Sequence, residues 1–388
     1  MAPGGFLSGV ASADGRAYRS ARENLTLEPI SNAPAVVLIR ISEVFADFTG
    51  EIIRGLGGKS SKKLGSEYFL IRTDDPQAMR ESDAAKFVRW NLPVHHSWPC
   101  NPEEMDGFVE KAAQALFRKF GALRPQAVFI GQLDPGVSNR YYKSLASNLR
   151  GRTLQLFPPE VAAFKEIEAQ KGDVPTLFCL VGKEGLFCGM QSPKASNGFY
   201  PGGTKYISQG SPDTISRAGA KIAEALHYLL LHRPAPAKGA HWLELGASPG
   251  GMTSELLGRG YEVTALDRAP LDQRLDHERG LRFILADVAT YEPKSGPKFD
   301  AILSDMNGAA VEAIRHVGRL SRHLAPGGLV IFTLKTPGAV TFLEINGLYA
   351  EVVGAADEAG LDLFARTHLT YNRLEFTLFF EKRDVGRE

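Results

Sequence analysis

Residues 241–251 read HWLELGASPGG. A short apolar run, Trp242 to Leu245, breaks into a glycine-rich turn, and a helical pattern starts at Met252. This is how the first parallel strand of a doubly wound α/β sheet feeds a ligand-binding turn. Gly246, Gly250 and Gly251 let the backbone approach a ligand closely, and Pro249 stiffens the turn. The helix that follows offers free amides at its N-terminus, where a carboxylate or phosphate sits well. The dinucleotide pattern G-x-G-x-x-G fails, because Ser248 stands where its second glycine would be. S-adenosylmethionine, a smaller adenosine ligand that carries an amino acid, suits a G-x-x-x-G-G turn better than a pyrophosphate does. Taken alone, the turn is explained equally well as a tight strand-to-helix connection with no ligand.

The sequence downstream adds to the ligand reading. Tyr261 to Leu266 reads as a second strand ending at Asp267, about twenty residues past the turn, where doubly wound folds place an acid for ribose hydroxyls. Leu281 to Ala286 reads as a third strand ending at Asp287, a candidate for an adenine amino group. Phe299 to Ser304 is a fourth, with Asp305 at its carboxyl end, and Leu329 to Leu334 a fifth, with Lys335 directly after it. Acids just past strands also serve as ordinary helix caps. A series of them on one sheet edge points to a binding edge. A helix over Ala309 to Leu324 and a turn at Pro326-Gly327-Gly328 fill the interval, and Thr367 to Tyr371 and Glu375 to Glu381 read as final strands.

The chain has 388 residues, 44% hydrophobic, with a formal net charge of +1. That length predicts two or three domains with ample core. No apolar run reaches the roughly 20 residues that span a bilayer, and the opening MAPGGFLSGV lacks the basic region and apolar core of a signal peptide. Cys100, Cys179 and Cys188 have no metal-ligand spacing, and His95-His96 reads as part of a loop. Reduced thiols in a cytoplasmic protein without a metal are therefore expected. A near-zero net charge argues against a general polyanion binder and leaves room for a local basic face. Nothing reads as a dedicated self-interface, so a monomer is expected.

Ahead of the glycine turn the elements are short. Residues 1 to 33 are rich in Gly, Ala, Ser and Asn and read as a flexible segment. Strands are expected at Ala35–Ile41, Glu67–Arg72 and Gln126–Ile130, helices at Phe45–Arg54 and Pro102–Lys119, and a strand or short helix at Ala84–Trp90. Thr176–Val181 and Leu186–Met190 form an expected hairpin. This mix predicts small α+β modules over 34–191, and the Pro-, Gly- and Ser-rich stretch 192–212 reads as a linker. Arg140 to Arg152 carries Arg140, Lys143, Arg150 and Arg152 with Tyr141 and Tyr142 and no acid. Cations interleaved with rings suit an RNA strand, and a solvated helix face explains them as simply. The loop around Lys59, Lys62 and Lys63 is a second basic candidate on the same terms.

Ser216 to Leu231, SRAGAKIAEALHYLLL, is an amphipathic helix with Lys221 inside an apolar stretch, and Glu375 is embedded in a strand at RLEF. SRAGAKIAEAL, LELGASPGG, LSDM at 303–306, FTLK at 332–335 and RLEF at 373–376 together resemble the FtsJ-type ribose 2'-O-methyltransferases, in order and in spacing. The resemblance implies a Rossmann-like S-adenosylmethionine-dependent domain over 213–388 with a catalytic tetrad of Lys221, Asp305, Lys335 and Glu375. Lys335 would be the base that takes the hydroxyl proton, Asp305 its orienting partner, and Glu375 a holder of Lys221 or the ribose. Glu244, Gly246, Ser248, Pro249, Gly250, Gly251, Met252, Asp267, Asp287 and Asp305 would hold the cofactor. Glu244, Ser248 and Met252 depart from the family's usual Asp, Cys or Ala, and Trp. LFCGMQSPKASNGFYPGG at 186–203 resembles the hairpin and linker of members whose front half is ferredoxin-like and THUMP-type. Those members imply an RNA substrate, a cytidine of 23S rRNA. The alternatives are the same chemistry on tRNA or another RNA, or a non-catalytic RNA-binding protein of the same fold.

Overall fold

The computed structural model describes residues 35–133, 140–163, 171–205, 207, 214–294, 299–336, 338–339 and 341–384. The expected flexible segment 1–33 and part of the linker 192–212 lie outside the described residues.

The first sheet joins β1 (Ala35–Ile41), β2 (Ser60–Leu64), β3 (Tyr68–Thr73) and β4 (Val88–Pro93), antiparallel in the order β2-β3-β1-β4, with β1 and β4 buried along most of their length. Helices α1 (Thr49–Gly55) and α2 (Pro76–Glu81) connect them. The helix expected from Phe45 begins instead as a 3-10 turn, Glu43–Phe48, that hands over to α1. Ala84–Trp90 divides likewise, into a 3-10 turn, Asp83–Phe87, and β4. The expected loop at Lys59, Lys62 and Lys63 is corrected: the last two lie on edge strand β2, whose first four residues are exposed. A strand with no apolar alternation gives no periodic signal, and lysines on an edge also discourage intermolecular pairing.

A second sheet, in the order β5-β8-β7-β6, joins β5 (His96–Trp98), β6 (Ala127–Gln132), β7 (Thr176–Gly182) and β8 (Gly185–Gln191). The expected hairpin is β7-β8. Helices α3 (Phe108–Phe120) and α4 (Arg140–Leu156) cover the sheet through Leu116, Phe120, Leu145 and Leu149. After it, α5 (Pro193–Ser196) and a turn at 201–203 pack onto β4 and β6, so this part of the linker is folded against its neighbours.

The third sheet has seven strands: β9 (His241–Leu245), β10 (Glu262–Asp267), β11 (Leu281–Leu285), β12 (Phe299–Ser304), β13 (Leu324–Lys335), β14 (Leu361–Thr367) and β15 (Glu375–Lys382). Their order is β11-β10-β9-β12-β13-β15-β14, with β15 antiparallel to both neighbours and the first five parallel. This is a Rossmann-like mixed α/β sheet. Helices α6 (Ala218–Leu229) and α7 (Gly251–Gly258) cover one face, and α8 (Ala310–Leu320) and α9 (Phe342–Glu358) the other. From Leu329 to Leu334 β13 is apolar but for Thr333, because both faces are buried: Leu329 and Ile331 meet the α6 side, Val330, Phe332 and Leu334 the α8 side.

Two expectations fail here. The turn at 326–328 sits inside β13, where pairing with β12 jumps from Phe299–Leu324 to Ala301–Leu329, a bulge that absorbs the glycines. The strand expected at Thr367–Tyr371 is β14, which ends at Thr367, and residues 368–374 form the loop that turns back into β15. The first sheet joins the same core: Phe45 stacks on Phe376 at 5.4 Å between ring centres, and Val37, Ile39 and Phe87 lie with Phe332 and Phe380.

Candidate active site

Parallel strands bring the carboxyl ends of β9, β10, β11, β12 and β13 to one edge, and a cleft of about 460 Å³ opens there. Its walls include Glu244, Gly246, Ser248, Pro249, Gly251, Met252, Asp267, Asp287, Asp305 and Lys335. Gly246 turns with φ +80° while its missing side chain would lie 3.0 Å from the Met306 backbone. Gly250, at φ +105°, is the N-cap of α7. Asp267 fastens the turn to β10: its carboxylate accepts from the Ser248 amide at 2.9 Å and from the Ala269 amide at 2.8 Å. Asp287 accepts from the Ala289 amide at 2.9 Å. Each acid thus fastens a local turn and still faces the cleft.

Glu244 sits at the bottom of the cleft, almost fully buried, accepting from Thr253 Oγ1 at 2.7 Å. Burial, with Asp305 and Asp267 close by, pushes its carboxyl up to about 8. It is therefore largely protonated at neutral pH until a cation arrives.

Lys221, Asp305, Lys335 and Glu375 converge. Antiparallel pairing sets Glu375, the first residue of β15, opposite Lys335, the last of β13. Asp305 follows β12 and is held by its amide on Leu245 O at 3.2 Å. Lys335 Nζ lies 3.3 Å from Asp305 Oδ1 and donates to Asp305 O and Asn307 Oδ1, both at 2.8 Å. Lys221, projected from α6, lies 3.6 Å from Asp305 Oδ1 and in direct contact with Glu375 Oε1. Glu375 is buried within its strand, 8% exposed. The ammonium of Lys221, inside the apolar stretch of α6, is paired with two carboxylates.

Four partners of the site escaped the sequence. Asn307 holds Lys335, and Asn372 donates to Glu375 Oε1 at 3.0 Å. Glu312 and His316 on α8 line the cleft at helical spacing. Asn307 carries no local signal, because it works through Lys335 on another strand, while Asn372 acts on Glu375 three residues on, where the loop turns into β15.

The basic residues of α4 divide. Arg152 is committed to Glu110 of α3 through Nε at 2.6 Å and Nη2 at 3.0 Å, so the acid missing from the run comes from the neighbouring helix. Tyr141 and Tyr142 pack on the second core, not beside the cations as expected, because the helical period turns them inward. Lys143, Ala146, Ser147 and Arg150 share one face at spacing i, i+3, i+4, i+7. With Tyr68, Tyr200 and Thr204 that face lines a groove of about 350 Å³. Arg150 donates to Val128 O at 3.0 Å and lies 5.6 Å from the Phe129 ring centre. Arg140 is exposed at the start of α4. Lys59 pairs with Asp74 at 2.5 Å, and Lys63 lies 5.9 Å from the Phe69 ring centre. Among the described residues no group of three or more His, Cys, Asp or Glu could hold a metal, and no helix is long and apolar enough to cross a membrane.

Residues 214–332 match the family model of the FtsJ-like methyltransferases, the family that the sequence motifs resemble. A ribosomal RNA large subunit methyltransferase M from Alkalilimnicola ehrlichii is 34% identical over 44% of this chain and 47% of its own. One from Shewanella loihica is 29% identical over 54% of this chain and 58% of its own. The chain thus spans about half the length of the curated relatives it matches. Among solved structures, the Aeropyrum pernix fibrillarin with bound S-adenosyl-L-methionine is 17% identical over 55% of this chain and 85% of that one, at a TM-score of 0.35. A likeness that loose carries no argument here.

Proposed function

We propose that this chain is an S-adenosylmethionine-dependent RNA methyltransferase that modifies a ribose 2'-hydroxyl. The observation that carries the reading is the convergence of Lys221, Asp305, Lys335 and Glu375 beside the glycine-lined cleft.

The cleft fits the cofactor chemically. Glu244, Asp267, Asp287, Asp305 and Glu312 outnumber Arg268 and Lys335 on its walls, which favours a cationic guest. Glu244 would receive the amino end, Asp267 the ribose hydroxyls and Asp287 the adenine amino group, while the turn from Gly246 to Met252 follows the ligand's backbone. Bound there, S-adenosylmethionine would supply a methyl group on a sulfonium sulfur, already a strong electrophile. The protein's task is then alignment and removal of one proton. In its neutral amine form Lys335 takes that proton from the 2'-hydroxyl, held at the cleft wall by Asp305 and Asn307. Lys221, anchored by Glu375, shares the Asp305 charge.

The relatives named ribosomal RNA large subunit methyltransferase M support large-subunit ribosomal RNA as the substrate; the nucleotide we propose is a cytidine of 23S rRNA, with the same chemistry on tRNA or another RNA as the alternative. In this reading residues 34–191 are ferredoxin-like and THUMP-type RNA-binding modules, 192–212 the linker and 213–388 the methyltransferase domain. The chain acts in the cytoplasm as a monomer. Lys143 and Arg150 in the α4 groove, with the Tyr200 ring beside them, support RNA contact there. Arg140, Lys59, Lys62 and Lys63 are outer candidates, and Arg152 is the weakest because Glu110 occupies it.

Mass mapping of 2'-O-methylated nucleotides in total RNA, from cells with and without the protein, tests the proposal. Loss of one methyl-cytidine in 23S rRNA supports it to the substrate. A methyl lost from tRNA moves the target, and no loss in any RNA puts the non-catalytic RNA-binding reading first.

A further inference from the structure

Arg89 lies on β4 of the first sheet, far in sequence from the tetrad, and is 3% exposed. Its guanidinium reaches four places. Nη2 donates to Glu224 Oε1 at 2.6 Å, to Thr370 Oγ1 at 2.7 Å and to Gly203 O at 3.1 Å, and Nη1 donates to His368 O at 2.5 Å. Glu224 is also 3% exposed and sits on α6, three residues after Lys221. It accepts from the Thr370 amide at 2.8 Å and from Thr370 Oγ1 at 2.6 Å. Thr370 belongs to the loop 368–374, which ends at Glu375. In the same loop Asn372 Oδ1 accepts from the Leu369 amide at 2.7 Å, while its Nδ2 donates to Glu375 Oε1.

We propose that Arg89 is a positioning residue for methyl transfer, which makes the first sheet part of the catalytic apparatus. The proposal rests on the reading of the cleft and tetrad as a methyltransferase site. A buried charge pair is a poor source of net stability when apolar side chains of similar volume could replace it. What this one supplies is geometry. One planar fork fixes α6 and the loop 368–374 against each other, and those two elements carry Lys221 and Glu375. A reacting group displaced by about 1 Å can lose on the order of 10²-fold in rate, so the fork's rigidity acts directly on turnover.

The experiment uses the full chain, S-adenosylmethionine and total RNA from cells lacking the protein. Arg89→Met is expected to lower kcat on the order of 10²-fold, with KM for RNA and affinity for S-adenosylmethionine unchanged. Arg89→Lys, which keeps the charge and loses the fork, recovers part of that loss. Thr370→Val, a milder change, moves kcat in the same direction if Arg89→Met does not fold. In parallel, hydrogen exchange of the Leu369 and Thr370 amides is expected to speed up in each variant that removes the fork. Folded variants with wild-type kcat, or a KM effect on RNA with kcat unchanged, overturn the proposal. If the wild type itself transfers no methyl, the methyltransferase reading fails, and unchanged exchange at Leu369 and Thr370 then separately overturns the positioning role.

Discussion

Lys335 and Glu375 stand opposite each other across β13 and β15, forty residues apart in the chain and paired in register. β15 runs antiparallel to β13, so the end of one strand meets the start of the other. Each lysine of the site then has a carboxylate within reach: Asp305 for Lys335, and Glu375 together with Asp305 for Lys221.

Lys335→Ala removes the assigned base. Methyl transfer is expected to fall by about 10²–10⁴-fold, the usual worth of a positioned general base. Binding of RNA and of S-adenosylmethionine is retained in separate equilibrium measurements. Undiminished transfer would remove Lys335 from the mechanism.

Glu244 makes the unliganded protein sensitive to pH. Its carboxyl is raised from 4.5 to about 8, so the folded state keeps a proton that the unfolded chain releases. The contribution to stability is complete below pH 4.5 and is lost as pH rises through 8. The loss is on the order of a few kcal/mol, read as a falling melting temperature. Glu244→Gln flattens this dependence. Because a cationic amine favours the ionised carboxylate, affinity for S-adenosylmethionine is expected to strengthen between pH 6 and 8 in isothermal titration, with proton release.

Gly246→Ala places a side chain at φ +80°, 3.0 Å from the Met306 backbone. The left-handed conformation alone costs about 1–2 kcal/mol for an L-residue. Chemical denaturation is expected to show at least that loss, together with weaker cofactor binding, because the turn forms the cleft wall.

Lys143→Glu tests the α4 groove without touching the tetrad. RNA affinity is expected to fall, and the slope of log affinity against log salt to shrink by about 1. Turnover at saturating RNA stays at the wild-type value. Unchanged affinity and slope would dismiss the groove as an RNA contact.

Local pattern carried the catalytic half of the chain. The mainly apolar runs at 242–245, 281–286 and 299–304, each followed by a glycine or an acid, are strands β9, β11 and β12; β9 and β12 lie inside the sheet and are almost wholly buried, while edge strand β11 is only partly so. Other elements left weaker traces. β2 is exposed and lysine-rich, so it shows no alternation. The strand expected at Thr367–Tyr371 overshoots β14 because residues 368–372 fold back as a partly buried loop bonded to Glu224, to Arg373 O and within itself.

The sequence by itself determined the strand–turn–helix at 241–258, the order of the acids along one sheet edge, and which four residues resemble a catalytic tetrad. The first two follow from periodicity and turn chemistry, which act over a few residues, and the third from the resemblance of five short motifs to a known family. Only the tertiary structure decided that Glu375 is buried against Lys221, that Asn307 and Asn372 hold the charged groups, and that Arg89 reaches α6 and the loop 368–374. Except for Asn372 and Glu375, three residues apart, such pairings join residues tens to hundreds apart, and β15 has to insert between β13 and β14 before they exist. A hydrogen bond between distant side chains has no period, so it becomes visible only when the sheets have packed.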